Sequence, residues 1–305
     1  MYVHTPVMLK YVLDNIVSNT DKMFLDCTLG EGGHTEAVLR TYPEIRVCGL
    51  DRDAEILEVA RNRMRPFADR FIGFQMNFAE ADSLKEKSLL FDSALIDLGI
   101  SVFHYKISGR GFSFSREEPL DMRLDSDGES VADLVNNLPE NELRNVLYKY
   151  AEERFAPMIA KKIADYRKKQ SITLSTQLAE IVASAIPAKF RGAKIHPATK
   201  TFQALRIAVN HELDYIEPGI RAVLSLLKKG GRLGVITFHS LEDKIVKNLF
   251  KYMSLECVCP PKIPKCVCTK VKEVEIIGKS LTADDDELRD NPPSRSARLR
   301  IVEKV

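Results

Sequence analysis

The chain has 305 residues, of which 45% are hydrophobic and 29% are charged, and its formal net charge is +2. This composition is typical of a globular protein with enough residues for one large domain or two smaller ones. A net charge so near zero excludes a protein that binds polyanions through bulk charge alone.

The sequence also indicates where the protein works. Its apolar stretches are too short to cross a bilayer, and the opening residues MYVHTPVMLKYV lack the pattern of a signal peptide. Six cysteines, with Cys27 and Cys48 at strand-like positions, fit a reducing compartment better than a disulfide framework. We therefore expect a cytoplasmic protein with no membrane association.

The first hundred residues alternate between strand and helix patterns. Continuous apolar runs predict buried parallel strands at 23–27, 45–50, 71–76 and 91–97. Helical patterns lie between them at 33–40, 53–65 and 79–87. This alternation predicts a doubly wound, Rossmann-like α/β sheet with right-handed crossovers.

A glycine-rich turn follows the first predicted strand. In KMFLDCTLGEGGH an apolar run ends in Asp26, and Gly30, Gly32 and Gly33 follow closely before a helical pattern begins. Such a turn often forms part of a nucleotide-binding site in α/β sheets, because glycine permits a sharp turn and a close approach of the ligand. The GxGG spacing departs from the dinucleotide fingerprint, so a purely structural tight turn fits the turn alone equally well.

Three residues near later strand ends favour a cofactor site. Asp51 ends the second apolar run and can accept hydrogen bonds from both ribose hydroxyls of an adenosine. Asp97 ends the run FDSALID and can orient an amino group, with a turn cap as the alternative. Phe78 can stack on an adenine, with core packing as the alternative.

The pattern changes after about residue 105. Helical patterns dominate at 129–137, 139–151, 152–169, 173–186 and 199–212, and strand patterns return at 230–238 and 296–304. We therefore predict an all-α insertion over 105–212, within an α/β domain formed by 1–104 and 213–305.

A basic stretch lies within this insertion. Between Ala188 and Arg206 the chain carries no acidic residue, and its five cations are Lys189, Arg191, Lys194, Lys200 and Arg206. Such a stretch is either a phosphate-contact surface or a solvated helix edge. His196, inside the stretch, can contact RNA or cap a turn, whereas His239 ends a predicted strand and ranks above the other histidines as a site residue.

Four cysteines form a second chemical motif. In CVCPPKIPKCVC two C-x-C pairs flank a proline-rich spacer, and the four are Cys257, Cys259, Cys266 and Cys268. Four thiolates can hold one zinc ion. The spacing is not the usual C-x-x-C, however, and reduced structural or redox-active thiols are the alternative. The sequence therefore assigns no metal.

Strings along almost the whole chain resemble the bacterial 16S rRNA (cytosine-N4)-methyltransferases, which use S-adenosylmethionine. They are HTPVML, DCTLGEGGHT, GLDRD, IDLGIS, RGFSF, EEPLDMR, EERFA, IHPATKTFQALRIAVNHEL, GGRLGVITFHSLEDKIVK and NPPSRSARLR. The resemblance implies a class I methyltransferase sheet with an inserted helical domain. It also implies methylation of a cytidine N4 amine in the decoding centre of 16S rRNA, within the 30S subunit or its precursor.

The resemblance also implies site residues. The cofactor positions correspond to Gly32, Gly33, His34, Asp51, Phe78, Asp97 and His104, where His104 replaces the family's usual glutamine. We expect Asp97 to act in the chemical step as well. In the basic helical insertion, we expect RNA contacts from Lys189, Arg191, Lys194, His196 and Lys200.

Two other functions share parts of this pattern. A nicotinamide-dependent oxidoreductase would share the opening strand, turn and helix, but the GxGG spacing and the lack of a Tyr-x-x-x-Lys pair speak against it. A non-catalytic RNA-binding assembly factor would not need the acidic residues Asp51 and Asp97.

Overall fold

The computed structural model of the protein describes residues 5–125, 127–190, 196–260 and 266–305. Two compact units divide the chain: Met1–Ile100 together with Asp214–Val305, and Ser101–Leu213. Arg191 and Lys194, both expected to contact RNA, lie outside the described residues.

The first unit is built on a mixed sheet. Its strands are β1 (Met23–Asp26), β2 (Arg46–Asp51), β3 (Phe71–Gln75), β4 (Phe91–Asp97), β5 (Leu227–Thr237), β6 (Val274–Ile276), β7 (Leu281–Thr282) and β8 (Arg298–Lys304). Its helices are α1 (Leu9–Asn15), α2 (Gly33–Thr41), α3 (Ala54–Arg63), α10 (Ile216–Leu226), α11 (Ser240–Met253) and α12 (Asp285–Asp290), and 3₁₀ turns span Arg65–Phe67, Phe78–Lys87 and Pro292–Ser296.

The strand order is β3-β2-β1-β4-β5-β8-β6, with β7 pairing to β8. Strands β1 to β5 pair in parallel, whereas β8 runs antiparallel to both β5 and β6. The predicted Rossmann-like α/β class is confirmed. The chain leaves β1 to one side for β2 and later reaches the other side for β4, which creates a topological switch point where ligands bind in open α/β sheets.

Continuous apolar strands explain why this sheet is buried on both faces. Phe24, Leu25, Leu95 and Ile236 are at most 1% exposed, as expected for the central strands of a parallel sheet covered by helices. The apolar runs alone therefore indicated the central strands.

Helix α10, IEPGIRAVLSL, had no counterpart among the predicted elements. It packs against the 3₁₀ turns of Phe78–Lys87, and a Cβ at Gly219 would lie only 2.1 Å from Phe78 Cε2. Gly219 is therefore the residue that lets the Cδ2–Cε2 edge of the Phe78 ring approach the helix backbone.

The second unit is helical. It contains α4 (Val102–Lys106), α5 (Val131–Asn137), α6 (Glu140–Ala151), α7 (Ala156–Arg167), α8 (Ser175–Ala185), α9 (Thr199–Asn210) and a 3₁₀ turn at Ala188–Phe190. Buried Asn210 ties α9 to the loop between α4 and α5, because its amide donates to the Met122 carbonyl at 2.7 Å and accepts from the Leu124 N–H at 2.8 Å.

Within the described ranges, no helix combines the length and the apolar character needed to span a membrane.

Candidate functional site

The carboxyl ends of three parallel strands each carry an aspartate. Asp26 ends β1, Asp51 ends β2 and Asp97 ends β4, and these strands are neighbours in the order β2-β1-β4. Because parallel strands place their carboxyl ends at one edge, the three side chains share the edge that contains the switch point. Asp26 is the residue of this group that the expected site did not include, although it stands at the start of the glycine motif.

Asp51 holds the glycine-rich turn against β2. Its Oδ2 accepts from the Gly30 N–H at 2.8 Å, and its Oδ1 accepts from the Asp53 N–H at 2.9 Å. An ionised carboxylate has several acceptor lone pairs, so it can serve the backbone and a ligand at the same time. Asp51 is half-buried, so it shapes the turn and stays partly accessible at the sheet edge, and its role towards a ribose stays a prediction.

The expected cofactor residues of the turn have contacts within the chain itself. Gly32 adopts φ 78° and precedes α2, where a side chain would be strained. A Cβ on Gly33 would lie 2.6 Å from Pro6 Cγ, so this glycine admits the N-terminal segment. The His34 Nε2 atom lies 3.0 Å from the Val7 carbonyl oxygen and is largely buried. The glycine-rich turn therefore also fastens the N-terminal segment to the sheet.

Phe78 lies directly after β3 and is only half-buried. One side of its ring packs on Gly219 of α10. Packing and stacking, the two alternatives from the sequence, are compatible here, because the contact with Gly219 uses an edge of the ring and not a face.

Asp97 is a perturbed carboxyl group. Burial, together with the charges of Asp26 and Glu242, raises its pKa to about 7, although the Gly99 N–H donates one stabilising hydrogen bond of 3.3 Å. A carboxyl group whose pKa lies near neutrality suits proton exchange or hydrogen-bond acceptance at cellular pH.

Asp26 is perturbed for the same reason. Its pKa is raised to about 6, mainly by burial, although it accepts a 2.7 Å hydrogen bond from the Thr35 hydroxyl. Thr28 lies two residues after Asp26, and its hydroxyl oxygen accepts a 2.6 Å hydrogen bond from the Asp97 N–H. This bond links the ends of β1 and β4.

Glu242 and His239 form the cap of α11. Glu242 is 2% exposed, and its Oε2 accepts from the N–H groups of Phe238 and His239 at 2.7 and 3.2 Å. The His239 ring accepts from the Glu242 N–H at 3.4 Å, which completes a capping box. His239 therefore has a structural role at the strand end, and Glu242 is a buried charge that the sequence analysis did not identify.

A cleft of about 630 Å³ opens beside the end of β5. His239 lines it together with four exposed cations, which are Lys244, Lys247, Arg295 and Arg298. The acidic lining residue Asp243 is paired with Arg300 at 2.8 and 3.0 Å. The cleft is therefore electropositive. Its cations belong to the strings SLEDKIVK and NPPSRSARLR, which contributed to the family resemblance, but none of the four was predicted as a site residue.

The second unit contains the expected RNA residues and His104. His104 is 4% exposed and contacts Phe103 and Phe112 with ring centroids 5.7 and 5.2 Å apart, so its role towards a cofactor stays a prediction. Exposed Lys189 lies 5.0 Å from the centroid of the Phe190 ring, and Arg154 covers the same ring at 4.3 Å. These three residues form a surface of cations and an aromatic ring, which we call the Arg154–Phe190 surface.

Two further residues of the basic stretch are exposed. His196 stacks on Phe114 with centroids 4.4 Å apart, and its Nδ1 accepts from the Ala198 N–H at 3.2 Å, so it does cap the turn. Lys200 is exposed. Arg206 differs, because Glu212 binds it through two bonds of 2.8 Å and removes it from the solvated cations.

We expect the free energy of unfolding to fall as the pH rises from about 4 to about 7. The folded state binds a proton at Asp97 more tightly than the unfolded state, whose carboxyl pKa is near 3.8. A pKa of about 7 corresponds to at most about 4 kcal/mol, reduced by the water that reaches this half-buried side chain. Asp97→Asn should flatten this fall in urea denaturation curves measured across the pH range.

Asp92 on the same strand is the matched control. Its pKa is lowered by the Lys228 ammonium and by two backbone N–H groups, despite some desolvation. Asp92→Asn should therefore lower stability at neutral pH, opposite in sign to Asp97→Asn. Equal effects of the two variants would contradict the assigned environment of Asp97.

Comparisons with known proteins identify the family. The sequence profile of the MraW methylase family matches residues 1–305. Ribosomal RNA small subunit methyltransferase H of Treponema denticola is 47% identical and covers 99% of this chain and 98% of its own length. The protein of the same name from Trichlorobacter lovleyi is 44% identical, with the same coverage.

Solved structures are more distant. An rRNA methylase from Streptococcus thermophilus is 8% identical with a TM-score of 0.42, and it covers 97% of this chain and 93% of its own. A chain from Streptococcus mutans in complex with SAH is 10% identical, with a TM-score of 0.41 and full coverage of both chains. On the full-length sequence match, the chain belongs to the MraW methylase family, whose members depend on S-adenosylmethionine.

Proposed function

We propose that this methyltransferase transfers the methyl group of S-adenosylmethionine to the N4 amine of a cytidine in the decoding centre of 16S rRNA, within the 30S subunit or its precursor. The full-length relatives are named as small subunit rRNA methyltransferases, which supports ribosomal RNA as the substrate. The observation that carries the proposed chemistry is Asp97. Its carboxyl group has a pKa of about 7. Asp97 ends β4, which lies between β1, the strand of Asp26, and β5, the strand beside the basic cleft.

The residues at the sheet edge fit S-adenosylmethionine. Asp51 offers two acceptor oxygens to ribose hydroxyls beside a glycine-rich turn, and Phe78 offers a partly exposed ring to an adenine. The cofactor supplies a methyl group already activated on a sulfonium. We assign Gly32, Gly33 and His34 to the construction of this site through their contacts with the N-terminal segment.

Asp97 would act on the acceptor amine. The lone pair of a cytosine amine is delocalised into the ring, so the amine is a poor nucleophile. An ionised carboxylate that accepts one N–H of the amine favours a pyramidal nitrogen and stabilises the positive charge that develops there. Alignment of amine and methyl can supply about 7–11 kcal/mol of the barrier in favourable cases.

Two basic surfaces are proposed to hold the RNA. The cleft beside β5 offers four cations close to the strand end that faces the amine, where the phosphates next to the target nucleotide would lie. The Arg154–Phe190 surface in the second unit combines cations with an aromatic ring, the combination that binds unpaired bases and phosphates. The target base must leave its stack to reach Asp97.

The direct test of the function is methyl transfer to 30S particles that lack the modification. Particles are incubated with methyl-labelled S-adenosylmethionine, and the 16S rRNA is digested for nucleoside mass spectrometry. We expect label in N4-methylcytidine from the decoding centre. Label in another nucleoside would replace the proposed substrate, and binding without transfer would favour the assembly-factor alternative.

Asp51→Ala should weaken S-adenosylmethionine binding by about 1.5–3 kcal/mol, the usual value for hydrogen bonds to a charged group. Calorimetry on the purified chain measures this change, and the melting temperature shows whether the variant is folded. Exposed Asp69 is the control, since Asp69→Ala removes an equal charge from the same unit. An unchanged affinity in folded Asp51→Ala would remove Asp51 from the site.

Lys189→Ala combined with Lys200→Ala should weaken RNA binding and reduce its salt dependence, by about one unit of slope for each lost phosphate contact. Lys244→Ala combined with Lys247→Ala should do the same from the cleft. Filter binding to 16S rRNA fragments at several salt concentrations measures both. Lys168→Ala is the control, because Lys168 is paired with Asp165 at 2.9 Å.

A variant pair with the slope of the control would mark its surface as solvated and unrelated to RNA. Affinity for S-adenosylmethionine should be unchanged in all these variants. A loss of cofactor binding would show that the substitutions act on the fold rather than on an RNA contact.

Single-turnover methyl transfer should rise with pH through about 7, because only ionised Asp97 carries the negative charge that stabilises the positive charge developing on the amine. In Asp97→Asn the rate should fall and this pH dependence should disappear. Saturating S-adenosylmethionine separates the chemical step from cofactor binding. A wild-type rate in the variant would restrict Asp97 to a cofactor contact and make the cleft residue His239 the next residue to test.

A further inference from the structure

The four cysteines of the C-x-C pairs lie outside the proposed methyl-transfer site. They belong to the connection between α11, which ends at Met253, and β6, which begins at Val274. A backbone hydrogen bond of 2.9 Å from Glu273 N to Met253 O closes this connection at its base. Residues 261–265, between the pairs, lie outside the described residues, whereas all four cysteines are described.

The four sulfur atoms form one compact cluster. Cys266 Sγ lies 3.5 Å from Cys257 Sγ, 3.8 Å from Cys259 Sγ and 3.5 Å from Cys268 Sγ, and the separation of Cys268 and Cys257 is 3.7 Å. All four sulfurs lie within 4.8 Å of one another. A tetrahedral zinc ion with Zn–S bonds of about 2.3 Å requires sulfurs about 3.8 Å apart. From this agreement we propose that Cys257, Cys259, Cys266 and Cys268 bind one structural zinc ion.

Backbone N–H groups also point at these sulfurs. The Val258 N–H donates to Cys268 Sγ at 3.5 Å, and the Val267 N–H donates to Cys259 Sγ at 3.4 Å. Each of these valines is the central residue of one C-x-C pair and serves a sulfur of the other pair. N–H donors orient metal-bound thiolates and stabilise their negative charge, so the reciprocal contacts are a second observation that favours ligation.

The donor set selects the class of metal. Four thiolates suit a borderline or soft ion such as zinc and do not suit magnesium or calcium, which prefer oxygen ligands. Four protein ligands leave no open position, which is the arrangement of structural rather than catalytic zinc. Each thiol loses its proton on binding, so ligation by four neutral thiols releases four protons.

The ion would hold together a segment that has little core of its own. Cys257 and Cys266 are exposed, Cys259 and Cys268 are half-buried, and Val267 and Val271 are 76% and 72% exposed. The segment therefore lacks the apolar burial that normally fixes a chain. Zinc would join its two arms across the spacer and hold them at the base formed by Met253 and Glu273.

The test begins with metal analysis of the full chain, purified without chelators from cells grown with zinc. Mass spectrometry of the elements should find about one zinc per chain. Cys266→Ser combined with Cys268→Ser should lose this zinc, whereas Cys48→Ala, at a buried cysteine of β2, should keep it. Cobalt exchanged into the site should give the intense visible absorption of a tetrahedral four-thiolate complex.

Hydrogen exchange supplies a readout that does not depend on activity. Loss of zinc should remove protection from residues 254–273 and leave the strands of the sheet protected. Zinc-free protein whose four thiols react equally fast with and without added zinc would overturn the proposal. So would iron in place of zinc, or zinc that the double variant retains. If that variant fails to fold, the single variant Cys257→Ser should still bind zinc more weakly than the native chain.

Discussion

Convergence of the carboxyl ends of β1, β2 and β4 at one sheet edge is the constraint on which the proposed site depends. Parallel pairing brings Asp26, Asp51 and Asp97 to this edge from positions far apart in the sequence. Negative charges that lie close together with little water around them repel one another. The hydrogen bonds that offset this repulsion differ between the aspartates. Asp51 receives two backbone N–H groups, whereas Asp97 receives one long bond and has a pKa of about 7.

The difference in hydrogen bonding between Asp51 and Asp97 agrees with the different roles that we propose for them. A carboxylate held by backbone donors is a fixed acceptor, suited to the constant hydroxyls of a ribose. A carboxyl group with a pKa of about 7 occurs in both protonation states near neutrality, so a group placed against it can shift its ionisation. Glu242 contributes to this state, since its buried charge raises the pKa of Asp97 while the N–H groups of Phe238 and His239 stabilise it. The cap of α11 therefore influences the pKa of the carboxyl group at the end of β4.

Several residues combine a structural role with a proposed functional one. Phe78 packs on Gly219 with one side of its ring, and His196 caps a turn while it stacks on Phe114. A binding loop must be held in place and must also contact its ligand, so one residue can serve both purposes. It also means that substitutions at these positions need a folding control before any change of binding is interpreted.

The sequence by itself determined the features that depend on local pattern. Apolar runs located the central strands, and helical spacing located most helices of the insertion. The acids that end the runs indicated the sheet edge that we propose as the cofactor site. A tight turn needs glycine wherever it occurs, so the GxGG motif was visible without a structure. The strings shared with a known family pointed to the methyltransferase class, which the full-length match confirms.

Only the tertiary structure decided what depends on partners distant in the chain. Burial sets the pKa of Asp97, and burial is a property of the assembled sheet. Glu212 neutralises Arg206, which belonged to the basic stretch, while Lys244 and Arg295 come together from separate segments to line one cleft. The clustering of the four sulfur atoms likewise could not be predicted from the C-x-C spacing, because two such pairs can approach each other in many ways. The local periodicity of a sequence predicts helices and strands. The pKa of a side chain, an ion pair and a metal site depend on distances between residues far apart in the chain, and only tertiary packing sets these distances.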